Sequence, residues 1–174
     1  MPTASVVRTL KVVSGEGTVG ASLMALRPIP AGTPFLKIQR PRYTDAPTPQ
    51  TVQVTRDRHV LSLGVLAYLN HSCKPNVVID TKTMTCWTVR DIAKGDELTY
   101  FYASTEWTMA RPFLCLCGAE NCIRIVAGAR HLPVDVLSRY FINDHIRTLI
   151  DDELATAAER AVPRAAGRGS NHKK

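Results

Sequence analysis

The sequence predicts an α+β domain in which β-structure predominates. Short stretches rich in Val, Ile and Thr alternate with turns that contain Gly and Pro, which is the pattern of many small strands. A helical period of apolar residues begins only near residue 133. The 174 residues are 45% apolar and show no internal repeat. That length and composition favour one domain with its own hydrophobic core.

The first seventy or so residues divide into short segments separated by turns. Four strands are predicted from Val content or alternation, over residues 5–13, 21–26, 34–38 and 51–55. Gly15, Gly17 and Gly20 mark a loop after the first strand, and several prolines mark another loop over residues 41–49. In residues 61–69 the apolar positions recur at i+3 and i+4. A helix is therefore favoured over a strand there.

The second half of the chain changes from strands to helices. Residues 77–80 and 84–89 predict a hairpin, and residues 91–102 predict a turn followed by a strand. Residues 103–124 are predicted to form a loop. Asn143 is a candidate cap for a second helix. The helical segment carries one apolar stripe, formed by Leu137, Tyr140, Phe141, Ile146, Leu149, Ile150 and Leu154.

The net charge of +7 is concentrated at one end of the chain. Residues 160–174 hold five Lys and Arg and no acidic residue. We expect a solvated basic tail, with no nucleic-acid partner beyond weak attraction to this tail. No run approaches the about 18 apolar residues of a membrane span. The N-terminus lacks the charged and apolar regions of a secretory signal, so a cytosolic or nuclear location is expected.

Five cysteines indicate a metal site rather than disulfides. The count is odd, and CLCGAENC (residues 115–122) places three of them in a C-x-C-x4-C spacing. Three thiolates this close can hold one face of a tetrahedral zinc. Three free cysteines in a loop are the alternative, although free cysteines are usually core residues. From the spacing alone the fourth ligand stays open between Cys73, Cys86 and His71.

Two further segments are candidates for a functional site. YLNHSCKPN (residues 68–76) crowds amides, an imidazole and a thiol against a proline, as either a polar turn or a site would. In GDELTYFY (residues 95–102), Tyr100 and Tyr102 share one face of a strand because side chains alternate with a period of two. They are either ordinary strand aromatics or the walls of a pocket.

These segments together resemble the SET-domain family, typified by protein lysine methyltransferases. NHSCKPN, GDELTYFY and CLCGAENC resemble three family motifs in the family's order, and ALRPIPAG (residues 25–32) is a weaker match. The resemblance implies small curved β-sheets with a pseudoknot, in which the NHSC and ELTYFY segments cross, followed by a zinc-stabilised post-SET loop and C-terminal helices. It divides the chain into a SET domain (5–110), a post-SET zinc loop (111–124), a helical segment (130–160) and a basic disordered tail (161–174).

The resemblance also implies roles for individual residues. The zinc ligands would be Cys73, Cys115, Cys117 and Cys122, which leaves Cys86 in the core. Asn70 and His71 would contact S-adenosylmethionine, together with Gly20 at the glycine motif and Leu116 near the adenine. Tyr102 would be the catalytic tyrosine, and Tyr100 would line the same channel.

Four positions depart from the family pattern. Ser22 stands where the second glycine of a G-x-G motif is expected, and Ala67 stands where the family often has Arg. Phe101 replaces an Asp between the two tyrosines. The insert that shapes the substrate groove is nearly absent between Gly32 and the segment leading to Asn70. The first two departures fall on the cofactor side.

The sequence therefore predicts an S-adenosylmethionine-dependent methyltransferase that acts on a lysine or another amine of a protein or small molecule. Such a transfer needs an aligned, neutral amine, which an apolar channel favours. A second hypothesis is a SET-fold enzyme that catalyses other small-molecule chemistry, such as a cyclisation or condensation in secondary-metabolite biosynthesis, with or without this cofactor. His71 or Tyr102 would then be the acid or base. A third is a non-catalytic interaction module with Trp107 and Phe113 exposed. The oligomeric state stays open.

Overall fold

The computed structural model describes residues 9–14, 20–61 and 63–161. The first residues of the predicted N-terminal strand, the glycine loop up to residue 19, and the basic tail beyond Ala161 lie outside the described residues. Within the described part, no helix is long and apolar enough to cross a membrane.

The described chain forms short strands, three 3₁₀ turns and two α-helices. The strands are β1 Leu10–Val13, β2 Ser22–Ala25, β3 Pro34–Lys37, β4 Tyr43–Thr44, β5 Val52–Gln53, β6 His59–Val60, β7 Asn70–His71, β8 Val77–Asp80, β9 Thr85–Thr88, β10 Thr99–Tyr100, β11 Phe113–Leu114 and β12 Ile125–Val126. The 3₁₀ turns are Gly64–Tyr68, Tyr102–Ser104 and Ala129–His131, and the helices are α1 Val134–Leu137 and α2 Asp144–Ala161.

The strands pair into five small sheets, which confirms the mostly β prediction. β1 pairs with β2 and β11 with β12, both antiparallel. β9 lies between β3 and β8, and β6 lies between β4 and β5. The β8–β9 pairing is the predicted hairpin. Single bridges from Met24 to Glu97 and from Ile29 to Ile92 join the first hairpin to the segment before β10.

The fifth sheet is the parallel pair of β7 and β10. Thr99 pairs with Asn70, and Tyr100 pairs with His71. Asn76 fixes the pairing because its side chain donates to Glu97 O at 2.8 Å and accepts from Thr99 N at 2.8 Å. The two motif segments predicted to cross therefore lie side by side.

The hydrophobic core has two main parts. The larger part is enclosed by the sheets and contains Leu23, Val60, Ile79, Leu98 and, as predicted, Cys86. The second part packs α1 and α2 against Phe101 and Ala103, with Leu137, Ile142, Ile146 and Leu149 buried. Each such fully buried aliphatic side chain contributes about 2 kcal/mol of transfer free energy. The helices therefore pack against the segment that follows β10.

Several local predictions differ from the structure. The loops predicted over residues 41–49 and 103–124 each contain a two-residue strand, β4 and β11 respectively. The helix predicted in residues 61–69 is a single 3₁₀ stretch, which begins at Gly64 with φ of 55° and ends just before β7. Asn143 does not cap α2 with its side chain, which instead binds Thr81, Ile79 and Ser104. The apolar stripe is interrupted, because Phe141 and Leu154 are 43% and 54% exposed.

Candidate active site and cysteine cluster

The four cysteines that the resemblance selected lie together. The Sγ atoms of Cys73, Cys115, Cys117 and Cys122 are all within 4.8 Å of one another, and Cys73 to Cys115 is 3.9 Å. A tetrahedral zinc with Zn–S bonds of about 2.3 Å separates its sulfurs by about 3.8 Å. Four thiols at these separations fit a structural zinc ion, with no position left for water.

Backbone hydrogen bonds shape the loop around this cluster. Cys115 N donates to Arg124 O at 2.7 Å, and Cys122 N donates to Ala119 O at 3.0 Å. Gly118 has φ of 69°, a conformation that favours glycine. Two donors reach Cys73 Sγ, which are Ile123 N of the loop at 3.4 Å and His71 Nε2 of β7 at 3.3 Å. Such donors stabilise thiolate ligands of a metal.

His71 connects the cysteine cluster to the tyrosine segment. Tyr102 N donates to His71 Nδ1 at 3.3 Å, so the ring proton is on Nε2 and points to Cys73. Burial lowers the pKa of His71 to about 4, so the ring is neutral near pH 7. Both ring nitrogens are therefore occupied by structural contacts. The imidazole is not placed to act as an acid or base on a substrate.

Asn70 is held in one orientation by three acceptors. Its Nδ2 donates to Glu97 Oε1 at 2.7 Å, Ser22 Oγ at 3.0 Å and Ala21 O at 3.3 Å. A carbonyl and a carboxylate can only accept, which fixes Nδ2 on this side of the amide. The oxygen Oδ1 is thereby turned away and remains available as an acceptor.

The two tyrosines lie together, as their spacing predicted. The ring centroids of Tyr100 and Tyr102 are 4.7 Å apart, and Tyr102 Oη donates to Leu69 O at 2.9 Å. Burial raises the pKa of both phenols, so both stay protonated at neutral pH. Phe101 faces the other way and stacks on Tyr140 with centroids 3.7 Å apart.

A small cavity of about 30 Å³ opens beside these tyrosines. Its lining comes mostly from the 3₁₀ stretch before β7, from the β5 region and from the segment around β10, including Val52, Leu63, Leu66, Ala67, Leu69, Tyr100, Tyr102, Glu106 and Met109. The lining combines apolar side chains with polar ones such as Thr51 and Glu106, and the space suits the end of a narrow chain rather than a ring.

Comparison with known proteins agrees with this geometry. Residues 20–103 match the model of the SET domain. Methyltransferase flvH of Aspergillus flavus is 38% identical over 152 residues, which cover 86% of this chain and 85% of the relative. The chain belongs to the SET-domain family. It is therefore a methyltransferase of the SET type.

Other proteins match this SET domain over a smaller share of this chain and of their own length. A histone H3 lysine-4 specific methyltransferase of Aspergillus fumigatus is 36% identical over 66 residues, which are 34% of this chain and 5% of the relative. The crystal structure of KRYPTONITE in complex with mCHG DNA and SAH matches with a TM-score of 0.54 at 23% identity. That match covers 67% of this chain and 28% of KRYPTONITE. It shows that the fold is shared.

The departures from the family pattern have visible structural effects in this SET domain. Ser22 contributes a hydroxyl that accepts from Asn70, the side chain expected at the cofactor. Ala67 lines the cavity with a methyl group where a long Arg would reach further. Gly20 has open space around its Cα, and Leu116 is 88% exposed beside the cysteines. Their cofactor contacts remain predictions.

Glu97 and Glu106 are site residues that the sequence did not reveal. Glu97 lies inside the GDELTYFY motif, and its contact with Asn70 depends on the strand crossing. Glu106 is only 6% exposed and lines the cavity. An acidic residue four positions after Tyr102 was the only available signal. Its burial depends on Gln53, which is far away in sequence.

Proposed function

We propose that this SET domain transfers a methyl group from S-adenosylmethionine to an amine carried on a narrow stem. The observation that carries the proposal is the parallel pairing of β7 with β10. It places Asn70 and His71 next to Tyr100 and the cavity. A cofactor held at β7 would present its methyl group to a substrate held beside the tyrosines.

The cofactor side of this arrangement fits an amino-acid group. Asn70 Oδ1 is fixed as an acceptor and would receive the ammonium of S-adenosylmethionine, while the backbone of His71 and the open surface at Gly20 border the same place. Leu116 would cover the adenine from the cysteine loop. The cofactor supplies an activated methyl group on a sulfonium.

The chain's own residues supply alignment and desolvation. Because Tyr102 Oη donates its proton to Leu69 O, its lone pairs are free to accept an N–H from the substrate. The apolar part of the lining, which includes Leu63 and Leu66, disfavours a charged amine and lowers the pKa of that amine. An aligned neutral amine is the nucleophile that this displacement requires.

The acceptor is an amine of the lysine type. The relative specific for histone H3 lysine 4 acts on lysine, and another KRYPTONITE structure was determined with an H3(1–15) peptide. The small cavity admits a stem as thin as a lysine side chain or a linear small-molecule amine. Cyclisation or condensation is not favoured, because the relative matched along most of its length is a methyltransferase.

A methyl-transfer assay tests this proposal. Zinc-loaded protein is incubated with S-adenosylmethionine labelled in its methyl group and with n-butylamine, free lysine or a lysine-containing peptide. We expect the label in at least one amine and a loss of transfer in Asn70→Ala. Transfer to no amine, together with the absence of cofactor binding, would contradict the proposal.

A further inference from the structure

The lining of the cavity includes a buried carboxyl group, that of Glu106. Glu106 Oε1 accepts from Gln53 N at 2.8 Å and from Thr105 Oγ1 at 3.2 Å. The side chain of Gln53 also binds the residue after Glu106, because its Oε1 accepts from Trp107 N at 2.8 Å. The second oxygen, Oε2, receives no hydrogen bond from any residue that the structure describes.

The backbone of Glu106 is fixed from the opposite side. Ala129 N donates to Glu106 O at 2.8 Å, and Arg130 N donates to Trp107 O at 3.1 Å. Gly128 allows this approach, because a Cβ there would lie 2.5 Å from Trp107 O. Glu106 is therefore held rigidly at the cavity wall by two separate segments. A carboxyl held this firmly can define a position for a ligand.

No permanent cation neutralises Glu106 within the described ranges. The acidic partners of Lys and Arg there, such as Asp152 and Glu153, lie on the surface. The nearest ionisable nitrogen is His59 Nε2, 3.8 Å from Oε2. Burial, and then His145, lower the pKa of His59. His59 is thus neutral near pH 7, and its Nδ1 has no partner among the residues described.

The other groups around this carboxyl are also uncharged. Tyr100 and Tyr102 lie on its β10 side and remain protonated phenols. Gln53 and Thr105 are neutral donors. The cavity lining thus contains a carboxyl group that has no Lys or Arg partner among the described residues, beside apolar side chains such as Leu63 and Leu66. That combination selects an ammonium group on a thin stem.

We propose that Glu106 is a catalytic residue that binds the substrate amine at Oε2 and takes its proton before methyl transfer. This inference rests on the proposed function and adds the group that recognises and deprotonates the acceptor. It predicts that neutral acceptors such as alcohols are not bound in the cavity.

The proton and charge balance of the step is simple. The substrate ammonium gives one proton to the Glu106 carboxylate, which leaves a neutral amine and a neutral carboxylic acid. The amine lone pair then forms the N–C bond as the S–CH₃ bond breaks, and the sulfonium becomes a neutral thioether. The new ammonium leaves the cavity, and Glu106 returns its proton to water.

The acidity of Glu106 suits this task. Burial raises its pKa to about 7, although the contacts from Gln53 and Thr105 act in the opposite direction. A base works best when its pKa is near the operating pH. In a buried pair, moreover, a neutral acid with a neutral amine is favoured over two desolvated charges.

The first test is the Glu106→Gln variant, which keeps an acceptor at Oε1 and removes the base. At pH 7 we expect kcat to fall about 100-fold or more. The rate should recover at high pH, where the free amine is abundant. Glu159→Gln, a matched change on the exposed end of α2, should behave like the wild type. An unchanged kcat with an unchanged pH profile in Glu106→Gln would overturn the proposal.

The second test does not need turnover. Protein with ¹³C-labelled glutamate carboxyl groups is titrated with n-butylamine, or with n-butanol as a neutral probe of the same length. We expect the Glu106 resonance, assigned as the one missing in Glu106→Gln, to shift with the amine only. If the amine leaves it unmoved, or if the alcohol moves it equally, the proposal is wrong.

Binding of S-adenosylhomocysteine separates this inference from the proposed function. The cofactor analogue should bind to wild type and to Glu106→Gln with equal affinity, because Glu106 lies at the substrate end. If neither protein binds the analogue, the proposed function fails. If both bind it but the amine does not reach Glu106, only the inference fails.

Discussion

The cysteine cluster and the cavity beside Tyr102 are both partly buried, yet they are specified in different ways. Three of the four cysteines come from one eight-residue stretch, so local spacing already selects a metal. The groups around the Glu106 carboxyl come from separate segments, with Gln53 on β5, His59 on β6 and Glu106 itself after β10. A metal site can thus be recognised by a motif, whereas a substrate site depends on the assembled fold.

Removing the metal should lower stability and activity more than any other change considered. Chelation, or Cys115→Ala, should unfold the loop of β11 and β12 and abolish activity, because the zinc–sulfur bonds that would join this loop to Cys73 are lost. Zinc content and melting temperature measure the outcome. Cys86→Ala is the matched control, since Cys86 is buried outside the cluster and its loss should leave zinc content unchanged. Full stability and activity without metal would contradict the account.

Tyr102→Phe tests the tyrosine at the cavity and should give the next largest effect. It removes the hydroxyl that is fixed by Leu69 O and that would orient the amine. We expect kcat to fall about 10-fold or more, with little change in cofactor affinity. Tyr68→Phe is the control, because Tyr68 is 41% exposed. Equal kcat values in the two variants would remove Tyr102 from the mechanism.

The pH dependence of stability tests the ionisation of Glu106 in the cavity lining. The pKa of Glu106 is about 7 in the folded protein, against about 4.5 for an ordinary Glu, so the folded state binds more protons between these values. Its contribution to the free energy of unfolding should therefore decrease as pH rises from about 4.5 to 7. His71, with a folded pKa of about 4, acts in the opposite direction.

Denaturant unfolding of wild type and Glu106→Gln isolates the carboxyl contribution. The difference between their unfolding free energies should change with pH in that window and be constant above it. A difference that is flat across the whole range would mean that Glu106 is not a perturbed carboxyl.

Ser22→Ala should have the smallest effect. It removes one of the three acceptors of Asn70 Nδ2, while Glu97 and Ala21 remain. We expect a loss of about 1 kcal/mol in unfolding free energy and no more than about a threefold change in cofactor affinity. Titration with S-adenosylhomocysteine checks this. A large loss of affinity would mean that Ser22 is part of the cofactor site.

The sequence predicted the parts of the fold that depend on local pattern. The β8–β9 hairpin and the shared face of Tyr100 and Tyr102 follow from alternation. The spacing of three cysteines indicated a metal, whereas Cys73 was selected only by the resemblance to the family. The side chain of Asn143 could not be placed in this way, because it binds Thr81 and Ile79 across the fold. Glu106 was missed for the same reason, since an isolated acidic residue usually faces solvent.

We infer that β7 and β10 together form a cofactor site that is intact despite Ser22 and Ala67. Isothermal titration of zinc-loaded protein with S-adenosylmethionine measures this. We expect saturable binding by wild type and by Gln39→Ala, a surface amide control, and binding at least about 10-fold weaker in Asn70→Ala, which loses the fixed acceptor. Absence of binding by zinc-loaded wild type, or equal binding by Asn70→Ala, would contradict it.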